Sequence, residues 1–265
     1  MIAVDDGSEF PARELVNSFA DRLPLTLLCE PHRGPASARN AGAAIARGEI
    51  LVFTDDDCIP DPGWLSSLAK RFENDSECVV GGRTVNDLSN NPYSSASQLL
   101  IDYLYKHYNA IPGKASLLTS NNLAIPASLF RDAGGFDGGF TRAAAEDREL
   151  CDRLRHRGVR LTYAPEVIVL HRHSLSFMRF WRQHFNYGTG AFRYHQLRSS
   201  RNDQNIKLEP PAYYWKLLRF PAKSENPRVL SLTALIALSQ VANAAGFFHQ
   251  KLTHSLRGRN GHAPH

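Results

Sequence analysis

Cysteine is scarce and unpaired. Cys29, Cys58, Cys78 and Cys151 are the only four in 265 residues, and none lies in a CxxC pair. That spacing excludes a sequence-local zinc site and a disulfide framework, and it suits a reducing compartment. No signal peptide is expected, because Asp5 and Asp6 arrive almost at once. No Ser-His-Asp or Cys-His arrangement for nucleophilic catalysis is legible. No recognition motif accompanies the basic residues, so nucleic acid is not expected as a partner. Lys, Arg, Asp and Glu are absent from residues 229–250.

Hydrophobic residues make up 43% and charged residues 22%, a globular composition. The length fits one α/β domain with an appendage. The net charge of +5 conceals an asymmetry. Residues 1–171 carry 17 Lys and Arg against 23 Asp and Glu, whereas residues 172–265 carry 14 against 3. An acidic first part suits a metal. A basic remainder suits phosphates, nucleic acid or an anionic membrane, or is simply a solvated face.

The pattern around Ile50-Leu51-Val52-Phe53-Thr54-Asp55-Asp56-Asp57 organises the chain. A short apolar run suits a strand buried on both faces, as in a parallel sheet. Its carboxylates then fall at the C-terminal strand end, where open α/β sheets bind ligands. Three adjacent acids repel one another and call for a cation or donors nearby; otherwise they form a solvated acidic loop. Alternation along an extended chain places Asp55 and Asp57 on one side, suited to Mg²⁺ or Mn²⁺, with Asp56 pointing away. His171, at another strand end, is a further ligand candidate or a structural histidine.

Other strands are expected at Ile2-Ala3-Val4, 25–28, 78–80, 120–125, 159–163 and 167–170. Helices are expected over 12–22 with Leu15, Phe19 and Leu23 inward, from 34 to 47, over 64–72 with Leu65, Leu68 and Phe72 inward, and over 93–108, 126–133, 145–157 and 174–198. The helix beginning Ala145-Glu146-Asp147 carries acids in its first turn and Arg155-His156-Arg157 in its last, both favourable to the helix dipole. Asp147 shares the face of Leu150, Cys151 and Leu154, and is either a cap or a site residue. Glu146 and Glu149 are expected to face solvent or bind donors.

These pieces occur in the order found in family 2 glycosyltransferases: Val4-Asp5-Asp6-Gly7-Ser8, Ala38-Arg39-Asn40-Ala41-Gly42, Phe53-Thr54-Asp55-Asp56-Asp57 with Pro60, Trp64 and Leu65, Gly134-Gly135-Phe136-Asp137, Glu146-Asp147-Arg148-Glu149-Leu150 and His171. The resemblance runs from residue 2 to about 190. It implies a GT-A fold, an α/β architecture with a Rossmann-like, mostly parallel central sheet flanked by helices, here with a C-terminal helical appendage. It also implies a nucleotide-diphosphate-sugar donor, a divalent metal (Mg²⁺ or Mn²⁺), and transfer with inversion to a glycan or lipid-linked acceptor. By the resemblance, Asp5 and Asp6 belong to the nucleotide motif, with Asp6 reading the base. Arg39 lies near the nucleotide and its phosphates, and Asp55 and Asp56 lie in the donor-binding acid run. Asp55 and Asp57 hold the metal, completed by His171. Asp147 is the general base, with Glu146 beside it as the second candidate.

Relatives begin with a further strand, a Pro-Thr-Tyr-Asn type turn and a helix that have no counterpart before Met1. The chain is therefore expected to be a truncated form that binds UDP or GDP poorly. A catalytically inactive glycosyltransferase-like fragment is one alternative reading, and a nucleotidyltransferase, which also uses a strand-end acid pair and metal, is another.

The expected division is a catalytic domain over 1–198, a surface linker over 199–228 and an apolar or amphipathic helix over 229–256. Ser239, Asn243 and Gly246 share one stripe of that helix, and Arg228 and Lys251 flank its apolar stretch. An interfacial helix is the first expectation, with a spanning helix and a helix packed on the domain as alternatives. The expected location is cytoplasmic, at the inner face of the plasma membrane.

Overall fold

The computed structural model describes residues 1–10, 12–142, 144–202, 209–223 and 227–260. In chain order the elements are β1 (Ile2–Asp5), α1 (Arg13–Asn17), β2 (Thr26–Cys29), α2 (Pro35–Ile45), β3 (Ile50–Thr54), β4 (Cys58–Pro60), α3 (Trp64–Asn74), β5 (Val79–Asn86), α4 (Pro92–Tyr108), β6 (Asn122–Pro126), α5 (Ala127–Ala133), α6 (Glu146–His156), β7 (Leu161–His171), α7 (Phe177–Asn202), α8 (Pro211–Leu218) and α9 (Val229–Asn260).

The strands form two sheets. One is the parallel pair β1–β2; the other has the order β3-β6-β5-β7-β4. Within the larger sheet only β5–β7 is parallel, and β6 runs against both β3 and β5. The sheet around β3 is thus mixed, where its apolar run suggested parallel neighbours. A run buried on two faces reports burial and says nothing about strand direction.

Alternation along the strands sorts side chains to two layers. Val79, Leu123, Ile125 and Leu161 face a core with Ala36 and Ala43 of α2, Phe130 of α5, and Leu150 and Leu154 of α6. Val80, Ala124, Val167 and Val169 face Trp64 and Leu68 of α3. Phe53, Phe130 and Phe136 pack with ring centroids 5.3–5.5 Å apart, fixing the loop after α5 against β3.

The β5–β7 ladder slips between Gly82 and Arg83. The Asn122 amide fills the gap, donating to the Arg83 and Val167 carbonyls at 3.0 and 2.9 Å and accepting from Trp64 Nε1 at 2.9 Å. A Cβ at Gly82 would collide with that amide, so glycine is needed where the bulge admits a side chain.

Several sequence expectations change here. The first helix is only Arg13–Asn17, and Leu15 is 65% exposed. In α3 the buried pair is Trp64 and Leu68, while Leu65 is 62% exposed. The two strands expected at 159–163 and 167–170 are one bulged strand, β7. The stretch read as a linker holds the end of α7 and α8, whose Tyr213 and Leu217 join a helical core with Leu100, Phe180, Leu232 and Ile236. Residues 203–208 and 224–226 of that stretch lie outside the described residues.

The polar stripe of α9 is turned inward. Ser239 and Gly246 are buried. A Cβ on Gly188 would strike the Asn243 carbonyl, and one on Gly246 the Phe185 carbonyl. Small residues on both helices therefore set the close α7–α9 seam, and Leu230, Val241, Phe248 and Leu252 are left exposed on the outer side.

Candidate active site

The acid run leaves the strand at Thr54. Cys58 N donates to the Asp55 carbonyl at 3.1 Å, so residues 55–58 form a turn. Side-chain alternation does not extend through a turn. Asp55 and Asp57 consequently take different partners instead of converging by strand geometry, and Asp56 is exposed.

Asp55 meets Arg39. The guanidinium of Arg39, on α2, lies 2.6 Å from Asp55 Oδ1 and 3.0 Å from Glu146 Oε1. It also sits 5.8 Å from the Phe136 ring centroid. Burial works to lower the Arg39 pKa, but the Asp55 and Glu146 charges outweigh it and the net shift is upward. One arginine thereby ties the end of β3 to the start of α6. Asn40, the next residue, bonds both Phe136 N (2.9 Å) and Phe136 O (2.8 Å), holding the Gly134-Gly135-Phe136-Asp137 loop to α2.

At the head of α6, Ala145 adopts a left-handed conformation with φ 68°, uncommon for a residue with a Cβ and found mainly where structure over-determines it. Glu146 is buried and accepts from Ala144 N at 2.8 Å as well as from Arg39. It faces donors, not solvent. Glu149 is also buried, held by Arg153 and Arg201.

Asp147 is different. Its carboxylate takes Arg148 N at 2.7 Å and a long contact from Ser120 N at 3.4 Å. Burial first, then the neighbouring Glu146 charge, push its pKa up to about 7, against the pull of the Arg148 N–H and Arg39.

Asp57 pairs with His171. Asp57 Oδ2 lies 3.2 Å from His171 Nε2. The hydrogen bond from His171 lowers the Asp57 pKa in spite of burial. Cys58, absent from the sequence-based candidates, joins them: donor atoms of Asp57, Cys58 and His171 lie within 4.8 Å of one another. The only sequence signal was its adjacency to Asp57. Its placement comes from the unanticipated strand β4, in which Cys58 pairs directly with His171. His173 stacks on His171 at 4.9 Å, and burial, then the His171 charge, lowers its pKa. A carboxylate and an imidazole in reach of one another fit a divalent cation.

The two N-terminal acids serve the local backbone. Asp5 is buried and accepts from Ser8 N (2.8 Å) and Ala12 N (3.2 Å), bonds that lower its pKa. Asp6 accepts from Arg33 N and Gly34 N, both at 2.8 Å, and His32 Nδ1 lies 3.0 Å away. Asp5 orders the segment that leads into α1, and Asp6 orders the loop that leads into α2. The structure thus groups Arg39, Asp55, Glu146 and Asp147, and separately Asp57, Cys58 and His171.

The sequence profile described as "Glycosyl transferase family 2" matches residues 1–134. The chain belongs to glycosyl transferase family 2. Relatives include a pre-mycofactocin glycosyltransferase of Mycobacterium tuberculosis, 34% identical over 200 residues. That match covers 72% of this chain and 41% of the relative, so the chain spans less than half that protein's length. A glucosyl-dolichyl phosphate glucuronosyltransferase of Haloferax volcanii is 24% identical, covering 93% of this chain and 84% of the relative. Among solved structures, a mannosyltransferase from Pyrobaculum calidifontis, determined with GDP-Man and Mn²⁺, aligns with a TM-score of 0.60 at 18% identity over 93% of this chain and 77% of its own. The fold is therefore GT-A, mixed α/β with its sheet between helices.

Proposed function

We propose that this family-2 chain transfers a sugar from a nucleotide-diphosphate-sugar donor to a hydroxyl on a glycan or lipid-linked acceptor, with inversion at the anomeric carbon. The observation that carries the reading is Arg39, whose two ion pairs hold the acid turn after β3 and the Glu146–Asp147 head of α6 in one site.

Asp147 is the general base. A carboxyl group poised near neutrality accepts a proton at working pH, and such assistance contributes roughly 10²–10⁴-fold. As the acceptor oxygen bonds to the anomeric carbon, its proton passes to an Asp147 oxygen and the carbon–phosphate-oxygen bond breaks. One displacement inverts the centre and needs no enzyme nucleophile. Glu146, fixed by Arg39 and Ala144 N, keeps Asp147 in place and keeps its pKa high.

Asp57 and His171 are the residues that hold a divalent cation, Mn²⁺ or Mg²⁺; Asp55 stands beside them, bonded to Arg39. Bound there, the cation supplies Lewis-acid stabilisation of the leaving diphosphate. Arg39 places a positive charge next to the same acid turn, and Asp6 orders the loop before α2, the helix that carries Arg39.

The outer side of α9 exposes Leu230, Val241, Phe248 and Leu252, with His249 and Lys251 beside them near its C-terminal part. Residues 229–256 are long and apolar enough to cross a membrane, and only 28% of the most apolar window is buried. Together with the basic C-terminal third, this supports contact with an anionic membrane surface on the cytoplasmic side, where a lipid-linked acceptor resides.

The test is a screen of nucleotide sugars with Mn²⁺, following nucleoside diphosphate release and the anomeric configuration of the product. Asp147→Asn should lose 10²-fold or more in kcat while still binding nucleotide, and a metal chelator should abolish turnover. An Asn variant as active as the wild type, or a product of retained configuration, overturns the assignment. Folded protein that releases no diphosphate from any donor favours the inactive-fragment reading.

A further inference from the structure

We infer that Cys58 Sγ is a third protein ligand of the cation held by Asp57 and His171, which makes the site selective for thiophilic divalent cations, Zn²⁺ foremost, over Mg²⁺. The inference rests on the reading of Asp57 and His171 as a cation site and adds a donor that changes which cation they prefer.

The geometry comes from the strand pairing. β4 runs antiparallel to β7, with Cys58 opposite His171 and Ile59 opposite Leu170. Directly paired residues project from the same face of a sheet with Cβ atoms about 4.5–5.5 Å apart. The thiol and the imidazole are therefore neighbours by register. Asp57, one residue before Cys58, is carried in by the turn, and its carbonyl accepts from Arg172 N at 2.8 Å, which locks the two segments together.

Distances show how little must move. Zinc bonds of about 2.0–2.3 Å in a tetrahedral shell place neighbouring donors roughly 3.3–3.8 Å apart. Here Asp57 Oδ2 lies 3.2 Å from His171 Nε2, and Cys58 Sγ lies 3.9 Å from Asp57 Oδ1. All three donors fall within 4.8 Å. The imidazole and the thiol face the two different oxygens of Asp57, so a turn of that carboxylate brings one oxygen to the cation that both would share.

The donor types decide the preference. Mg²⁺ takes oxygen ligands in octahedral geometry and gains little from a thiol. One sulfur, one imidazole nitrogen and one carboxylate oxygen with an open fourth position are the donors of a zinc site that keeps a place for water or a phosphate oxygen. Binding balances as loss of the Cys58 thiol proton to solvent and formation of one sulfur–metal bond, with no change of oxidation state.

The four cysteines are all free; Cys29 is exposed, and Cys78 and Cys151 are buried. Metal binding is therefore read in a Cys29→Ser background to remove the other accessible thiol. Co²⁺ is titrated first, because a thiolate ligand gives a sulfur-to-cobalt charge-transfer band in the near ultraviolet. Zn²⁺, Mn²⁺ and Mg²⁺ affinities are then measured by calorimetry in two buffers of different ionisation heat, which counts the protons released. The expected result is a charge-transfer band, about one proton released per Zn²⁺, and Zn²⁺ binding at least tenfold weaker in Cys58→Ser, with Mn²⁺ and Mg²⁺ affinity altered less than threefold. Zn²⁺ binding unaffected by Cys58→Ser, or Co²⁺ binding to the Cys29→Ser protein without the band, overturns the role of Cys58 and leaves the Asp57–His171 cation site standing. Failure of every cation to bind overturns both. The cobalt spectrum needs no Cys58 variant, so the test survives poor folding of Cys58→Ser.

Discussion

Replacing Asp147 with Asn removes a charge that the fold holds unfavourably, and the cost of holding it can be worked from its pKa. The carboxyl rises from 3.8 to about 7 in the folded chain, through burial and then the Glu146 charge. Each unit is 1.36 kcal/mol, so ionised Asp147 costs the fold up to about 4 kcal/mol. Relaxation and water penetration around the charged carboxylate lower that cost, leaving an expected gain of roughly 1–2 kcal/mol for the Asn variant. The sign follows from proton uptake. Between pH 3.8 and about 7 the folded chain holds a proton on Asp147 that the unfolded chain has lost, so wild-type stability falls as pH rises through that window. The Asn side chain does not titrate. Its advantage should be near zero at pH 4, grow through the window and be complete above about pH 7. For a chain of this size that is roughly 2–8 °C in Tm. Thermal unfolding of both proteins by circular dichroism at pH 4, 6 and 8 reads it directly. An Asn variant less stable than wild type at pH 8, or one whose advantage does not vary with pH, refutes the placement of Asp147 as a half-buried, proton-accepting carboxylate.

Three further outcomes follow from packing and charge. Arg39→Leu leaves Asp55 and the buried Glu146 without their cation, and unfolding in urea should show a loss of about 3–5 kcal/mol; a loss below 1 kcal/mol would mean the arginine does not hold the two halves of the site together. Gly246→Val drives side-chain atoms into the Phe185 carbonyl, so the α7–α9 seam should open and stability fall by at least 2 kcal/mol, measured the same way. Charging the outer face of α9 with Val241→Glu and Leu252→Glu should release the chain from anionic liposomes in flotation while leaving circular dichroism unchanged, because both positions are exposed and a carboxylate is repelled by the anionic surface; undiminished flotation would place the membrane contact elsewhere.

The strand-plus-acid pattern at residues 50–57 was legible because apolar runs and clustered charge are local properties. So was α6, whose apolar face, dipole-matched ends and stop at Gly158 are read from spacing alone. Asp147 on the buried face followed from the same periodicity. What spacing cannot show is the partner across space. Arg39 precedes Glu146 by 107 positions and Asp57 precedes His171 by 114, separations at which no local rule operates. Cys58 was missed because β4 is three residues long and contains Pro60, a composition that reads as a strand breaker until β7 lies beside it. The polar stripe of α9 was visible, but its direction was not: a stripe of small polar residues suits a water-facing side and a close helix seam equally well, and only the approach of Gly188 and Gly246 to facing backbone decides between them.

The sequence by itself determined the order of the pieces, the acids proposed to carry the chemistry and the family to which the chain belongs, since each is written in nearest-neighbour spacing and residue type. Only the tertiary structure decided which acids lie together. The turn at residues 55–58 separates Asp55 from Asp57, Arg39 takes the first to Glu146, and the β4–β7 register takes the second to His171 and Cys58. Hydrogen-bonded strand pairing and buried ion pairs act over distances in space that the linear order of residues does not encode.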